Sequence, residues 1–132
     1  MNEIYERLDK ALEAYQSLVV ELAAGWALIS DRDFPSYERL ANERLAEVTS
    51  EIDGYAGALE LPFLVRFYYE EYGMVRPIQT LGDVQGLMIS MLGSRGDVDH
   101  GALINSIRDN LVGQKDSLKV QIEAECSSAY GR

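Results

Sequence analysis

The chain of 132 residues contains few of the residues on which metal sites and many active sites depend. It has one cysteine and one histidine. A single cysteine, Cys126, forms no intrachain disulfide and cannot supply a cysteine-based metal cage. A single histidine, His100, removes most imidazole-based catalytic schemes and most zinc sites. The composition therefore predicts a protein that is not an enzyme and that holds neither a metal ion nor a cofactor.

Long apolar runs are also missing. The longest uncharged apolar-rich run covers residues 22–30, which is far shorter than the ~20 residues that span a bilayer. The first residues are acidic and amphipathic, whereas a signal peptide would open with positive charge and continue into an apolar stretch. We therefore expect a cytoplasmic protein.

Positive charge is scarce relative to negative charge. The chain carries 12 lysines and arginines against 22 aspartates and glutamates, which gives a formal net charge of -10. This balance argues against nucleic-acid binding and against docking on an anionic membrane, because both need a basic surface. The 47% of hydrophobic residues is typical of a globular protein. At this length, a single domain over residues 1–132 is expected.

The first half of the chain predicts two long helices. Apolar residues recur at steps of three and four from Asn2 to about Ser30, the spacing of one helix face. That face is wide, so the helix is expected to lie buried between two neighbours. A short turn with Asp33 as the N-cap leads to a second helix that ends near Leu59. Two long helices joined in this way form an antiparallel αα-hairpin.

The second half also predicts mainly helices. Residues 61–72 are rich in aromatic and large apolar side chains, and we interpret them as a helix that ends at Gly73. A strand is the alternative, because aromatic residues favour strands. A capping box that begins at Thr80 predicts a short helix through Leu92, and a long last helix reaches about Ser128. The fold class expected from these segments is all-α, an antiparallel helical bundle.

Three groups of residues could carry chemistry, and each has a plainer interpretation. Asp97, Asp99 and His100 form a tight carboxylate–imidazole cluster, which we interpret as a helix N-terminus, where negative charge is favoured, rather than as a metal site. Neighbouring glutamates disfavour a thiolate at Cys126, so this residue is expected to be a small packed side chain. The aromatic run over residues 63–72 could stack a ligand, but a core role is favoured.

Several local patterns together resemble the FlgN-type export chaperones of the bacterial flagellum. The turn between the first two helices, residues 27–40, is similar to the small acidic step that precedes a charged helix in that family. The glycine turn at residues 72–74, followed by Thr80-Leu81-Gly82-Asp83-Val84, looks like the family's start of a middle helix. His100-Gly101-Ala102-Leu103-Ile104 and Tyr130-Gly131 are similar to segments near the family's C-terminus.

This resemblance implies a cytosolic chaperone that binds the C-terminal segment of a hook–filament junction protein and delivers it to the type III export apparatus. The client would be an amphipathic segment whose apolar face docks along the last helix. Tyr130 matches a tail tyrosine that the family uses at the export gate. The expected partner-binding residues are Leu87, Met88, Met91, Ile104, Ile107, Leu111, Leu118, Ile122 and Tyr130. For the apolar members, ordinary bundle core is the alternative.

Two other functions remain open at this point. The acidic surface also suits a small helical protein of the immunity or anti-activator type, which would neutralise a basic partner. A small-molecule-binding bundle would instead use Trp26 and the aromatic run around a pocket. The apolar surplus on the first helix is compatible with either a monomer or a homodimer.

Overall fold

The structure, a computed structural model, describes residues 2–95 and 99–130 of the chain. In this part of the chain there are four helices and one hairpin of two strands. In chain order these are α1 (Asn2–Trp26), α2 (Phe34–Ala58), β1 (Tyr68–Glu71), β2 (Met74–Pro77), α3 (Leu81–Arg95) and α4 (His100–Tyr130). The mainly helical class is confirmed, and the β-hairpin is an addition to it. No helix in these two ranges is both long and apolar enough to cross a membrane.

Helices α1 and α2 run antiparallel and are joined by a short turn, as the sequence predicts. The Tyr37 hydroxyl at the start of α2 donates a 2.9 Å hydrogen bond to the carbonyl oxygen of Leu22 near the end of α1. Helix α1 ends at Trp26 rather than near Ser30. Asp33 occupies the N-cap position of α2, but its side chain makes no capping hydrogen bond.

Helix α1 is the central element of the core, because α2, α3 and α4 all pack against it. Its buried face includes Leu8, Leu12, Tyr15, Val19 and Leu22, each at most 2% exposed. The prediction that this helix lies between neighbours is therefore confirmed. The width of its apolar face follows from the number of elements that cover it.

Helix α4 lies antiparallel to α1 and is held there by charged and polar pairs along the seam. Lys119 lies 3.4 Å from Asp9 and Lys115 lies 3.1 Å from Glu13. The Tyr5 hydroxyl donates a 2.7 Å hydrogen bond to a carboxylate oxygen of Glu123. Burial and this acceptor raise the pKa of Tyr5 to about 12, so the tyrosine keeps its proton and remains a donor at neutral pH.

The helix predicted over residues 61–72 is wrong, and the strand alternative is present for residues 68–71. Residues 61–67 lie between α2 and β1, form neither helix nor strand, and bend at residues 62–63. Pro62 disfavours helical geometry at the residue before it, which favours an extended start. Tyr72 and Gly73 have φ angles of 52° and 78°, as a two-residue hairpin turn of type I′ requires. Gly73 is therefore a turn residue rather than a helix C-cap.

Helix α3 begins with the predicted capping box. The Thr80 N–H donates to Asp83 Oδ2 at 2.9 Å, and the Asp83 N–H lies 3.3 Å from Thr80 Oγ1. The Leu81 N–H donates to the side-chain oxygen of Asn42 at 2.8 Å, which fixes the start of α3 against α2. Gly86 lets the hairpin approach closely, because a Cβ at this position would lie 2.7 Å from the Tyr69 ring.

The interpretation of the acidic cluster before α4 as a helix N-terminus is supported where the structure describes it. Asp99 Oδ1 accepts a 2.8 Å hydrogen bond from the Ala102 N–H, which is the N-cap interaction. His100 follows as the first residue of α4 and is exposed. Asp97 lies outside the described residues.

Candidate functional site

The apolar residues predicted to bind a client lie mainly in the core of the chain. Helix α1 covers the predicted stripe of α4, so these side chains do not form an open groove. Met91 is half-buried, and the side chain of Tyr130 lies outside the described part of the chain. The other predicted residues are buried, with at most 8% of each exposed: Leu87, Met88, Ile104, Ile107, Leu111, Leu118 and Ile122.

The neighbouring face of α4 is open and lines a depression at the surface of the described residues. Asn110, Gln114, Ser117 and Gln121 follow at steps of four, three and four, so they share one side of the helix. Opposite them lies the segment before β1, residues 61–67. We name this depression, of about 650 Å³, the α4 cleft. It is lined by Phe63, Leu64, Arg66, Tyr68, Asp109, Asn110, Gly113, Gln114, Ser117, Leu118 and Gln121.

Gln114 bridges α4 to the hairpin at one end of this cleft. Its Oε1 accepts a 2.8 Å hydrogen bond from the Tyr68 N–H, and its Nε2 donates to the Tyr68 carbonyl oxygen at 2.9 Å. The carboxamide thus occupies the edge of β1 much as the peptide group of a paired strand would. Beyond it lies a smaller depression of about 280 Å³. Leu87, Met91 and Val75 contribute to its walls.

Arg66 is a buried charge at the wall of the α4 cleft, with its side chain 5% exposed. Its guanidinium donates two hydrogen bonds to the Asp53 carboxylate, at 2.7 and 2.9 Å. The Nε–H has no hydrogen-bond partner among the described residues. Hydrogen bonding from Arg66 lowers the pKa of Asp53 below its ordinary value. The charge of Arg66 is therefore compensated from the side of α2.

This pairing makes a prediction for the dependence of stability on pH. Because the pKa of Asp53 is lower in the folded state, its stabilisation is complete above the unfolded pKa of about 3.9. It is lost as the pH falls through the lowered folded value. Asp53→Asn should lower the free energy of unfolding at neutral pH by at least about 1 kcal/mol, because Asp53 is half-exposed but its loss leaves the buried Arg66 without its counter-charge. The difference should shrink in acid. Urea unfolding across this pH range measures it, and parallel curves for the two proteins would contradict the assignment.

The α4 cleft combines apolar patches with amide and hydroxyl groups, and its lining also includes the charged residues Arg66 and Asp109. Phe63 and Leu64 offer apolar surface, and the amide and hydroxyl side chains of α4 offer donors and acceptors. Such a lining suits a ligand that has both apolar side chains and peptide groups. Among the residues that the structure describes, no group of three or more His, Cys, Asp or Glu side chains could hold a metal ion.

The aromatic run is divided between the core and the cleft. Phe67 is fully buried and stacks on Tyr15, with ring centroids 4.5 Å apart. Phe63 and Tyr68 line the α4 cleft, whereas Trp26 lies at the end of α1 and does not contribute to it. Cys126 is half-buried and packs against the core, as expected of a small packed residue.

The polar face of α4 was not predicted as a site. Amide and serine side chains at helical spacing are also typical of an ordinary solvated surface. The one signal in the sequence is the interruption of the apolar stripe at residues 113–115, which lies at the middle of the cleft. Comparisons with protein families, with curated proteins and with solved structures gave no match to this chain.

Proposed function

We propose that this chain is a protein-binding module that holds an amphipathic helical segment of another protein in the α4 cleft. The observation that carries the proposal is the open face of α4 from Asn110 to Gln121, which is about 17 Å long at 1.5 Å per residue. That length matches about three turns of a docked helix. Leu64 is 48% exposed at this cleft and would be covered by such a segment.

The resemblance to FlgN-type chaperones supplies a specific form of this proposal. In that form the bound segment is the C-terminal part of a hook–filament junction protein, held in the cytoplasm before export. An amphipathic segment would place its apolar side chains against Phe63 and Leu64. Its polar groups would meet Asn110 and Gln121. The high net charge of -10 disfavours a second copy of this chain as the occupant, since the two copies would repel each other.

A matched pair of glycine substitutions tests the site. A Cβ at Gly113, in the α4 cleft, would meet no atom within 4 Å, and the same holds for Gly54 on α2. Both glycines are exposed, so Gly113→Trp and Gly54→Trp should both fold. Gly113→Trp fills the cleft and should weaken binding at least about tenfold, whereas Gly54→Trp should bind as the wild type does. The measurement is fluorescence anisotropy with a labelled C-terminal peptide of a hook–filament junction protein.

The outcomes separate the general proposal from its specific form. Circular dichroism first establishes that both variants keep the wild-type helix content. If the wild-type chain does not bind the junction-protein peptide, the export-chaperone form is wrong. If the peptide binds and both tryptophan variants weaken it equally, the segment docks elsewhere and the α4 cleft is not the site.

A further inference from the structure

Arg66 carries more N–H donors than the chain uses. Its Nη1 donates to Asp53 Oδ1 at 2.7 Å and to the Val65 carbonyl oxygen at 3.0 Å, and its Nη2 donates to Asp53 Oδ2 at 2.9 Å. Asp53 therefore meets the guanidinium end-on. The Nε–H and the second N–H of Nη2 lie side by side on the remaining edge, and neither donates to a residue that the structure describes. We name this pair of donors the free edge of Arg66.

The free edge belongs to a buried side chain at the wall of the α4 cleft. The Arg66 side chain is 5% exposed, and Arg66 lines the cleft together with Leu64 and Tyr68. A donor that is buried without an acceptor destabilises the folded chain, and such groups are uncommon in proteins. An acceptor that enters the cleft and reaches the free edge would remove this cost. The cleft therefore favours a ligand that carries a hydrogen-bond acceptor at the level of Arg66.

The geometry of the free edge selects a carboxylate among the possible acceptors. Its two parallel N–H groups match the two oxygens of a carboxylate, as in other bidentate arginine pairs. A carboxamide would set its own NH2 donor against one of these N–H groups, and a hydroxyl would accept from only one of them.

The charges around the free edge allow a second carboxylate beside Arg66. Asp53 is 50% exposed, so water weakens its attraction for the guanidinium. Asp109 is the other charged residue that lines the cleft, and it is exposed, so its repulsion of an incoming carboxylate is screened. The guanidinium can thus pair with one carboxylate at its end and with another at its side.

Access to the free edge requires a small movement of the cleft wall. The Nε atom is itself covered in the free chain, so a ligand reaches it only as a neighbouring side chain moves aside. Residues 61–67, which include Arg66, form neither helix nor strand, and no regular ladder of main-chain hydrogen bonds holds them. Leu64, which is 48% exposed in the same cleft, would be contacted by the same ligand.

We propose that the α4 cleft recognises an aspartate or glutamate of the bound helical segment through the free edge of Arg66. This inference rests on the function proposed above and adds the chemistry that the segment must carry. The incoming carboxylate accepts from the Nε–H and from Nη2, while Asp53 keeps the end of the guanidinium. Because Arg66 faces only one turn of the docked helix, this pair also fixes the position of the segment along the cleft.

The test uses a peptide selected on the full chain from a phage-displayed library of amphipathic helical peptides. We expect the selected peptides to share one aspartate or glutamate on the face that contacts the chain. Replacing that residue by its amide should weaken binding, measured by fluorescence anisotropy, at least about tenfold. Arg66→Lys should bind the acidic and amide peptides equally, since lysine keeps a charge opposite Asp53 but lacks the free edge. Arg108→Lys is the matched control and should retain the discrimination, because Arg108 is exposed and lines a different depression.

NMR of the arginine Nε–H groups gives a second test on the unmodified chain, which is independent of how Arg66→Lys folds. The acidic peptide should move the Arg66 Nε–H signal downfield and slow its exchange with water, as a new charge-assisted hydrogen bond requires. The amide peptide should do neither.

The outcomes separate this inference from the function on which it rests. If Gly113→Trp loses the selected peptides but the amide peptide binds the wild type as tightly as the acidic one, the cleft holds a segment without reading its carboxylate, and this inference is wrong. The same follows if the acidic peptide binds and the Arg66 Nε–H signal does not move. If no peptide is selected, or if Gly113→Trp binds the peptides as the wild type does, the proposed function and this inference are both wrong.

Discussion

Ile122→Asp is expected to unfold the chain at room temperature. Ile122 is 1% exposed on the face of α4 that α1 covers. An aspartate there would bury a carboxylate among apolar side chains. Burying an unpaired charge costs several kcal/mol, which is comparable to the whole stability of a typical domain, about 5–15 kcal/mol. Far-UV circular dichroism and urea unfolding measure the loss.

Val120→Asp is the matched control for this prediction. Val120 lies on the same helix two residues earlier but is 66% exposed. Its substitution should change the free energy of unfolding by no more than about 0.5 kcal/mol. If Ile122→Asp kept the wild-type helix content and midpoint, the buried face of α4 would have to be accessible in solution. The apolar stripe would then return as a candidate binding surface.

Phe67→Ala is expected to lower the free energy of unfolding by about 3–5 kcal/mol, as is typical of deleting a large buried aromatic side chain. The ring is 0% exposed and stacks on Tyr15. The Tyr15 hydroxyl donates to the carbonyl oxygen of Ile78, and burial raises the pKa of Tyr15, so it remains a donor. Tyr15 of α1 therefore contacts both ends of the hairpin. Its ring packs on Phe67 before β1, and its hydroxyl bonds Ile78 after β2.

Phe63→Ala provides the comparison, because Phe63 lies on the same segment before β1 but is only half-buried at the cleft. It should lower the free energy of unfolding by less than half as much as Phe67→Ala, in proportion to the smaller area that it buries. Both values come from urea unfolding with an unchanged slope. Equal losses at the two positions would show that the aromatic run acts as one packed unit, contrary to the division described above.

The sequence predicts the long helices well because their signal is local. The three-and-four spacing of α1 and the capping box at Thr80 each depend on residues within a few turns of one another. The end of α1 at Trp26 was less predictable, since Leu28 and Ile29 continue the apolar composition but not the helix. Leu28 is 81% exposed, which composition alone does not indicate.

The β-hairpin was less predictable because contacts distant in sequence stabilise it. Tyr69 packs where Gly86 leaves space, and Gln114 completes the edge of β1 from a position 46 residues beyond Tyr68. Neither interaction has a signature within residues 61–72. The type I′ turn does have a local signal in Gly73, but a glycine at that position is equally typical of a helix C-cap.

The candidate site was also difficult to predict, because it too depends on contacts between residues distant in sequence. The spacing along α4 identifies an apolar face, but it does not show which of the other elements covers that face. In the structure, α1 packs against the apolar face of α4, and the face from Asn110 to Gln121 is open. The sequence thus predicts that α4 is a helix. It does not predict which face is buried and which is open, because that depends on how α1 and the segment before β1 pack against α4.

The seam between α1 and α4 has a consequence for the order in which the chain can fold. The α1–α2 pair and the β-hairpin join residues that are close in sequence, whereas Tyr5 and Glu123 are 118 residues apart. Contacts of such separation carry the largest loop-closure entropy and form slowly. A chain that emerges from the ribosome therefore exposes one apolar side of its first helix until the last helix has been synthesised, and during that interval it is most prone to aggregation.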